Sequence, residues 1–124
     1  MKNDSVAIAR ACYDAYVSKD RAAIEALIAE DFHFTSPLDN RIDRATYFAR
    51  CWPLSAKARG FDFIHLVAHG ERVFVTYEGS NTDDHRFRNT EIITVRDRKI
   101  VDVEVYFGWS IPHEAPAGGF KDSK

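Results

Sequence analysis

The sequence predicts an α+β domain in which three helices cover one face of a curved antiparallel sheet. Apolar residues recur at helical spacing in the first half of the chain, and from Phe61 onward they alternate with polar ones at the period of a strand. The stretch Asn89 to Gly108, NTEIITVRDRKIVDVEVYFG, holds two such alternating runs separated by a short polar break at Asp97-Arg98, which is the pattern of a hairpin.

Taken in order, Asp4 or Ser5 can cap a first helix whose apolar stripe is Ile8, Ala9, Cys12, Tyr13, Tyr16 and Val17. Lys19-Asp20 breaks it, and Asp20 can cap a second, short helix with Ile24, Leu27 and Ile28 on its inner face. Asp31 to Ser36 alternates as a short strand that places Phe32 and Phe34 on one side and His33 on the other, and Pro37 ends it. A polar loop over 37–41 leads to Asp43, the expected cap of a third helix carrying Phe48 and Trp52 on one side and stopped by Pro53. After a loop from Leu54 to Gly60 come the strands FDFIHLVAH and RVFVTYEG, joined at Gly70-Glu71, then a polar turn from Ser80 to Arg86 and the hairpin.

The turn of that hairpin decides where its one acid on an apolar strand, Glu91, points. A two-residue loop at Asp97-Arg98 puts Ile92 opposite Val103, whereas a three-residue loop with a left-handed residue and a bulge puts Glu91 there. The bulged turn is favoured, because it places Ile93 and Val95 on the side of Val101 and Val103. A left-handed Arg98 is its cost, at roughly 1–2 kcal/mol.

A chain of 124 residues, 45% hydrophobic and 29% charged, is expected to form one domain over residues 1–111, followed by a mobile tail over 112–124. A net charge of −2 and a pI near 6.2, with no basic cluster on any expected face, argue against nucleic acid. No run approaches the roughly 18 apolar residues of a membrane span, so a cytoplasmic protein with no membrane partner is expected. Cys12 and Cys51 form no close-spaced pair and are expected to be buried free thiols. No metal is expected: His65 and His69 would be about 13 Å apart on a strand, and Asp83, Asp84 and His85 share an exposed turn.

The phrases ALIAEDFHFTSPLD leading into IDRATYFARCW, and NTEIITVRDRKIVDVEVYFGW at the end, resemble the nuclear transport factor 2-like superfamily, in its SnoaL-like and ketosteroid-isomerase-like branch. The resemblance runs from about Val6 to Trp109. It implies a cone-shaped half-barrel of curved sheet covered by the three N-terminal helices, with a hydrophobic pocket inside and a homodimer through the outer sheet face, where Tyr106 is expected. Matched to that branch residue by residue, the position of the isomerases' aspartate base falls on Ser36 and that of their oxyanion-hole tyrosine on Cys12. Their second oxyanion donor, a protonated aspartate, falls on Glu91 in the bulged register and on Ile92 otherwise. Serine cannot serve as that base, so isomerisation by that mechanism is not expected.

The expected ligand is a small apolar organic molecule, with no cofactor. Glu91, held in an apolar pocket and therefore hard to ionise, is the candidate acid or hydrogen-bond donor for isomerisation, cyclisation or dehydration. Against this stands an ion pair of Glu91 with Arg88, or an outward position across from Glu104. Asp39, beside the loop of the missing base, is the second catalytic candidate, although an ordinary turn aspartate fits equally. Cys12, Tyr16, Phe34, Ser36, Phe48, Trp52, Tyr77, Val103 and Phe107 are the candidate wall of the pocket. The aromatics would equally fill a core. A non-catalytic ligand-binding or dimerisation module of the same fold is the alternative reading.

Overall fold

Two aspartates at helix starts set the order of the first half of the chain. Asp20 accepts the backbone N–H of Ala23 at 3.0 Å and opens helix α2 (Arg21–Leu27), and Asp43 accepts that of Thr46 at 2.9 Å and opens α3 (Arg44–Arg50). Such caps satisfy backbone donors that the first helical turn leaves unpaired. The computed structural model describes residues 4–122. Helix α1 (Asp4–Ser18) already contains Asp4 and Ser5, so the residues that would cap it lie outside the described residues. It buries Ile8, Ala9, Cys12, Tyr13 and Ala15, while Val17 at the end of the expected stripe is exposed.

The strands are β1 (Ile28–Ser36), β2 (Asp39–Asp43), β3 (Ala58–His69), β4 (Arg72–Asn81), β5 (Arg86–Arg96) and β6 (Lys99–Ile111). They form one curved, unclosed sheet in the order β2-β1-β6-β5-β4-β3, with the helices over its inner face. This is the half-barrel expected, with one difference: β1 runs parallel to β6, because the chain between them carries the rest of the sheet. Further differences are local. The polar segment 37–41 is a turn followed by β2, whose short length and polar residues hide it from pattern reading. Helix α3 stops at Arg50, and Pro53 instead lies in the first turn of a 3₁₀ helix, Trp52–Lys57, where a loop was expected from Leu54.

The hairpin turn corrects the expected register. Asp97 and Arg98 form a two-residue turn with both φ positive, 53° and 67°, and Arg96 pairs with Lys99. The bulge lies inside β6: Val95 pairs with Ile100 and Thr94 with Asp102, leaving Val101 unpaired. Beyond it Ile93 stands opposite Val103, and Glu91 stands opposite Val105 rather than Val103. Ile100, not Val101, therefore joins Val103 and Val105 on the inner face, and Glu91 shares that face. The expectation about where Glu91 points holds for a different geometric reason.

A second register shift, between Phe87 and Asn89, brings the Arg88 carbonyl so close to Gly108 that a Cβ built there would lie 2.1 Å from the oxygen. Only glycine leaves room for that approach. The tail beyond Ile111 runs through bends and turns, with the rings of Trp109 and His113 5.5 Å apart and Lys121 paired with Glu114; its last residues, Ser123 and Lys124, lie outside the described residues. Gly108→Ala is expected to lower the urea unfolding free energy by about 1–3 kcal/mol, as overpacking does elsewhere. An unchanged unfolding midpoint would contradict this account of the strand pair.

Candidate functional site

Helix α1 and strands β4 and β5 bring three side chains to one point. The phenol of Tyr13 donates to Glu91 Oε1 at 2.8 Å, and that of Tyr77 donates to Glu91 Oε2 at 2.7 Å. Tyr77 follows from strand parity, since its neighbours Val73 and Val75 on the same face of β4 are fully buried. Asn89 extends the network, its amide donating to the Tyr77 oxygen at 3.4 Å while its carbonyl oxygen accepts the Gly108 N–H. A second phenol pair, Tyr16 and Tyr47, lies 2.6 Å apart, oxygen to oxygen.

These groups line a cavity of about 360 Å³ between the helices and the sheet. Its walls include the aromatic rings of Tyr13, Tyr16, Phe34, Tyr47, Phe61, Tyr77, Phe87 and Phe107, with Ile28, Ile93, Val103 and Val105 between them. Leu38 and Leu54, about 70% exposed, mark its mouth, with Phe107 half in solvent beside Val105. Glu91 is half-buried, with its carboxyl at the wall of the cavity.

Burial is the largest influence on Glu91 and raises its pKa above the ordinary 4.5, while the hydrogen bonds from Tyr77 and Tyr13 pull the other way. Burial and then the Glu91 charge raise the phenols of Tyr13 and Tyr77, so both stay protonated donors at any ordinary pH. The same two causes push the Cys12 thiol up to about 12, and burial brings Cys51 to about 11. Both thiols are free and buried, and neither is a ready nucleophile.

Among the sequence candidates, Glu91, Asp39, Cys12, Tyr16, Phe34, Ser36, Tyr77, Val103 and Phe107 all line this cavity. Phe48 and Trp52 do not: Phe48 packs behind Tyr47, with Arg21 and Arg44 over its ring, and Trp52 meets Tyr16 edge-on. Asp39 is at the mouth in an ion pair with Arg50, accepting also from Ser36 Oγ at 2.8 Å. The Arg50 hydrogen bond holds its carboxyl below the usual range, which makes it a weak proton acceptor.

Glu91 makes no ion pair with Arg88, which turns to Glu78, and Glu104 stands opposite Ile92. Tyr13 and Tyr47 were not among the sequence candidates for the site. Tyr13 lies one residue past the position matched to the isomerases' tyrosine, and Tyr47 adjoins Phe48 on α3. An aromatic on the buried stripe of each helix was the available signal. His33 lies on the opposite face, among Arg41, Arg72 and Asp102. No group of three or more potential metal ligands occurs among the described residues, and none of their helices is long and apolar enough to cross a membrane.

Residues 9–103 match the family model of the SnoaL-like domain. A protein of Kribbella flavida provisionally called a ketosteroid isomerase is 22% identical, with 92% of this chain and 83% of that one covered at a TM-score of 0.72. An epoxide hydrolase of M. tuberculosis, of the LEH-like kind, is 17% identical, with 86% and 84% covered at 0.72. A de novo designed protein with a curved β-sheet is 11% identical, with 87% and 88% covered at 0.75. At these identities the likeness is one of fold. No curated protein sequence matches.

Because its pKa is raised, Glu91 contributes stability that is fully present below the unfolded value near 4.5 and is lost as pH rises through the folded one. Glu91→Gln carries no such titration. The difference in unfolding free energy, wild type minus variant, is expected to fall as pH rises above 4.5 in urea titrations. A difference that is flat or rises with pH would contradict a raised pKa.

Proposed function

The chain belongs to the SnoaL-like domain family, and from that premise we propose that it binds a small, mainly apolar organic molecule and moves a proton on it through Glu91. The observation that carries this reading is a carboxyl enclosed by protein, oriented by two phenols and open to an aromatic-walled cavity. With both phenols donating, the ionised carboxylate accepts a proton. A raised pKa makes it a stronger base than a surface glutamate, and once protonated the same carboxyl is the acid for a return step. Isomerisation, cyclisation and dehydration all need such a group. Asp39, held by Arg50, positions the mouth through Ser36 rather than taking protons.

The family resemblance and an outer sheet face that exposes Phe74 and Tyr106 support a homodimer through that face. Two free buried thiols favour a reducing, cytoplasmic setting.

A screen of small apolar fragments by ligand-observed NMR is expected to give mutually competing hits that are lost in Ala58→Trp, which narrows the cavity. Held in D2O, neutral hits with an activated C–H position are expected to exchange it in wild type and at least about 100-fold more slowly in Glu91→Gln, with affinity kept. Hits that bind without any exchange would contradict the catalytic half and leave a binding module.

A further inference from the structure

We propose that the molecule this cavity takes is an organic cation, a protonated amine on an apolar skeleton, rather than a neutral or anionic compound. The proposal rests on the pocket reading above and not on its proton-transfer half. Glu91 is an enclosed acid whose hydrogen-bond partners are two neutral phenols, which orient the carboxylate but add no positive charge. The cations that could balance it are committed elsewhere. Arg88, three residues away on the same strand, bonds Glu78, and Arg50 bonds Asp39 at the mouth. Lys57 is the single cation among the cavity's described lining residues, and it is 64% exposed and paired with Asp83. A carboxylate in such a place lacks the counter-charge that normally accompanies a buried ion.

The rest of the wall suits a cation as well. Rings of Tyr13, Tyr16, Phe34, Tyr47, Phe61 and Tyr77 line the same space, and aromatic faces carry the negative end of the ring quadrupole. The Tyr16–Tyr47 hydroxyl pair adds phenol oxygens that can accept an N–H. An ammonium entering here donates to Glu91 beside the phenols and meets aromatic rings over its remaining surface, which offsets the loss of its hydration shell. An anion meets a carboxylate and the same negative faces. A neutral molecule of equal size gains the apolar contacts alone.

Three probes of one shape separate these cases: adamantylamine, adamantanol and adamantanecarboxylate, each titrated calorimetrically into wild type and into Glu91→Gln at pH 7.5. The amine is expected to bind wild type at least about tenfold more tightly than the alcohol, as a desolvated cation among aromatic rings and a carboxylate should. The carboxylate is expected not to bind, and the amine's advantage is expected to vanish in Glu91→Gln. Within wild type alone, a proton is expected to be released on amine binding near the raised pKa of Glu91, read from the dependence of the heat on buffer ionisation enthalpy. Equal binding of amine and alcohol, or an advantage that survives Glu91→Gln, would overturn the cation proposal and leave the pocket reading standing. Failure of all three probes to bind would overturn both together.

Discussion

The bond pair from Tyr13 and Tyr77 to Glu91 is the constraint on which the rest of the interior depends. Moving a carboxylate out of water costs several kcal/mol even after relaxation. Each hydrogen bond to a charged group returns roughly 1.5–3 kcal/mol. Two such bonds nearly offset the cost but do not remove it, which is why the acid is retained and its pKa still rises. The geometry binds α1 to the centre of the sheet, because Tyr13 reaches Glu91 only if that helix lies across β4 and β5. Tyr13 also packs edge-on against Phe61, Phe63 and Tyr77, with ring centroids 5.1–5.3 Å apart, so the polar contact is braced by apolar ones.

That arrangement makes the cavity more than a packing defect. An empty space walled only by apolar groups would gain from collapse, whereas here a carboxyl and four phenols must keep their partners and hold the walls apart. The similarity in fold to a protein provisionally called a ketosteroid isomerase, to an epoxide hydrolase and to a designed curved sheet shows how little the scaffold fixes the chemistry. What distinguishes one such cone from another is which few positions carry polar groups. In this chain the polar groups at the cavity include Glu91 and its phenols, Asn89 and, at the mouth, Ser36 and Asp39.

Much of this was legible before any coordinates. Helical and strand periods located α1, α2, α3 and the four long strands, and the aspartates at 20 and 43 announced their helices through hydrogen bonds that the structure contains. Strand β2 was hidden because four of its five residues are polar and show no alternation. The hairpin shows the limit of pattern reading more sharply. Parity alone says that a slip of one residue exchanges the faces. It does not say whether the extra residue belongs to the turn or to the strand, and here Val101 takes it. At the site, the strand residues Glu91, Tyr77 and Val103 followed from alternation, while Tyr13 and Tyr47 did not stand out because a helix stripe is wide and only tertiary packing selects which of its aromatics meets the acid.

The measurement that tests the account most directly is a ¹³C NMR titration of the Glu91 carboxyl carbon, with the Cζ carbons of Tyr13 and Tyr77 followed in the same samples. A carboxyl enclosed by the cone and bonded to both phenols titrates above 4.5, and the two tyrosine signals shift in step with it. Titration at or below 4.5 with silent tyrosines would mean a hydrated carboxyl outside the cavity, and the central claim would fall.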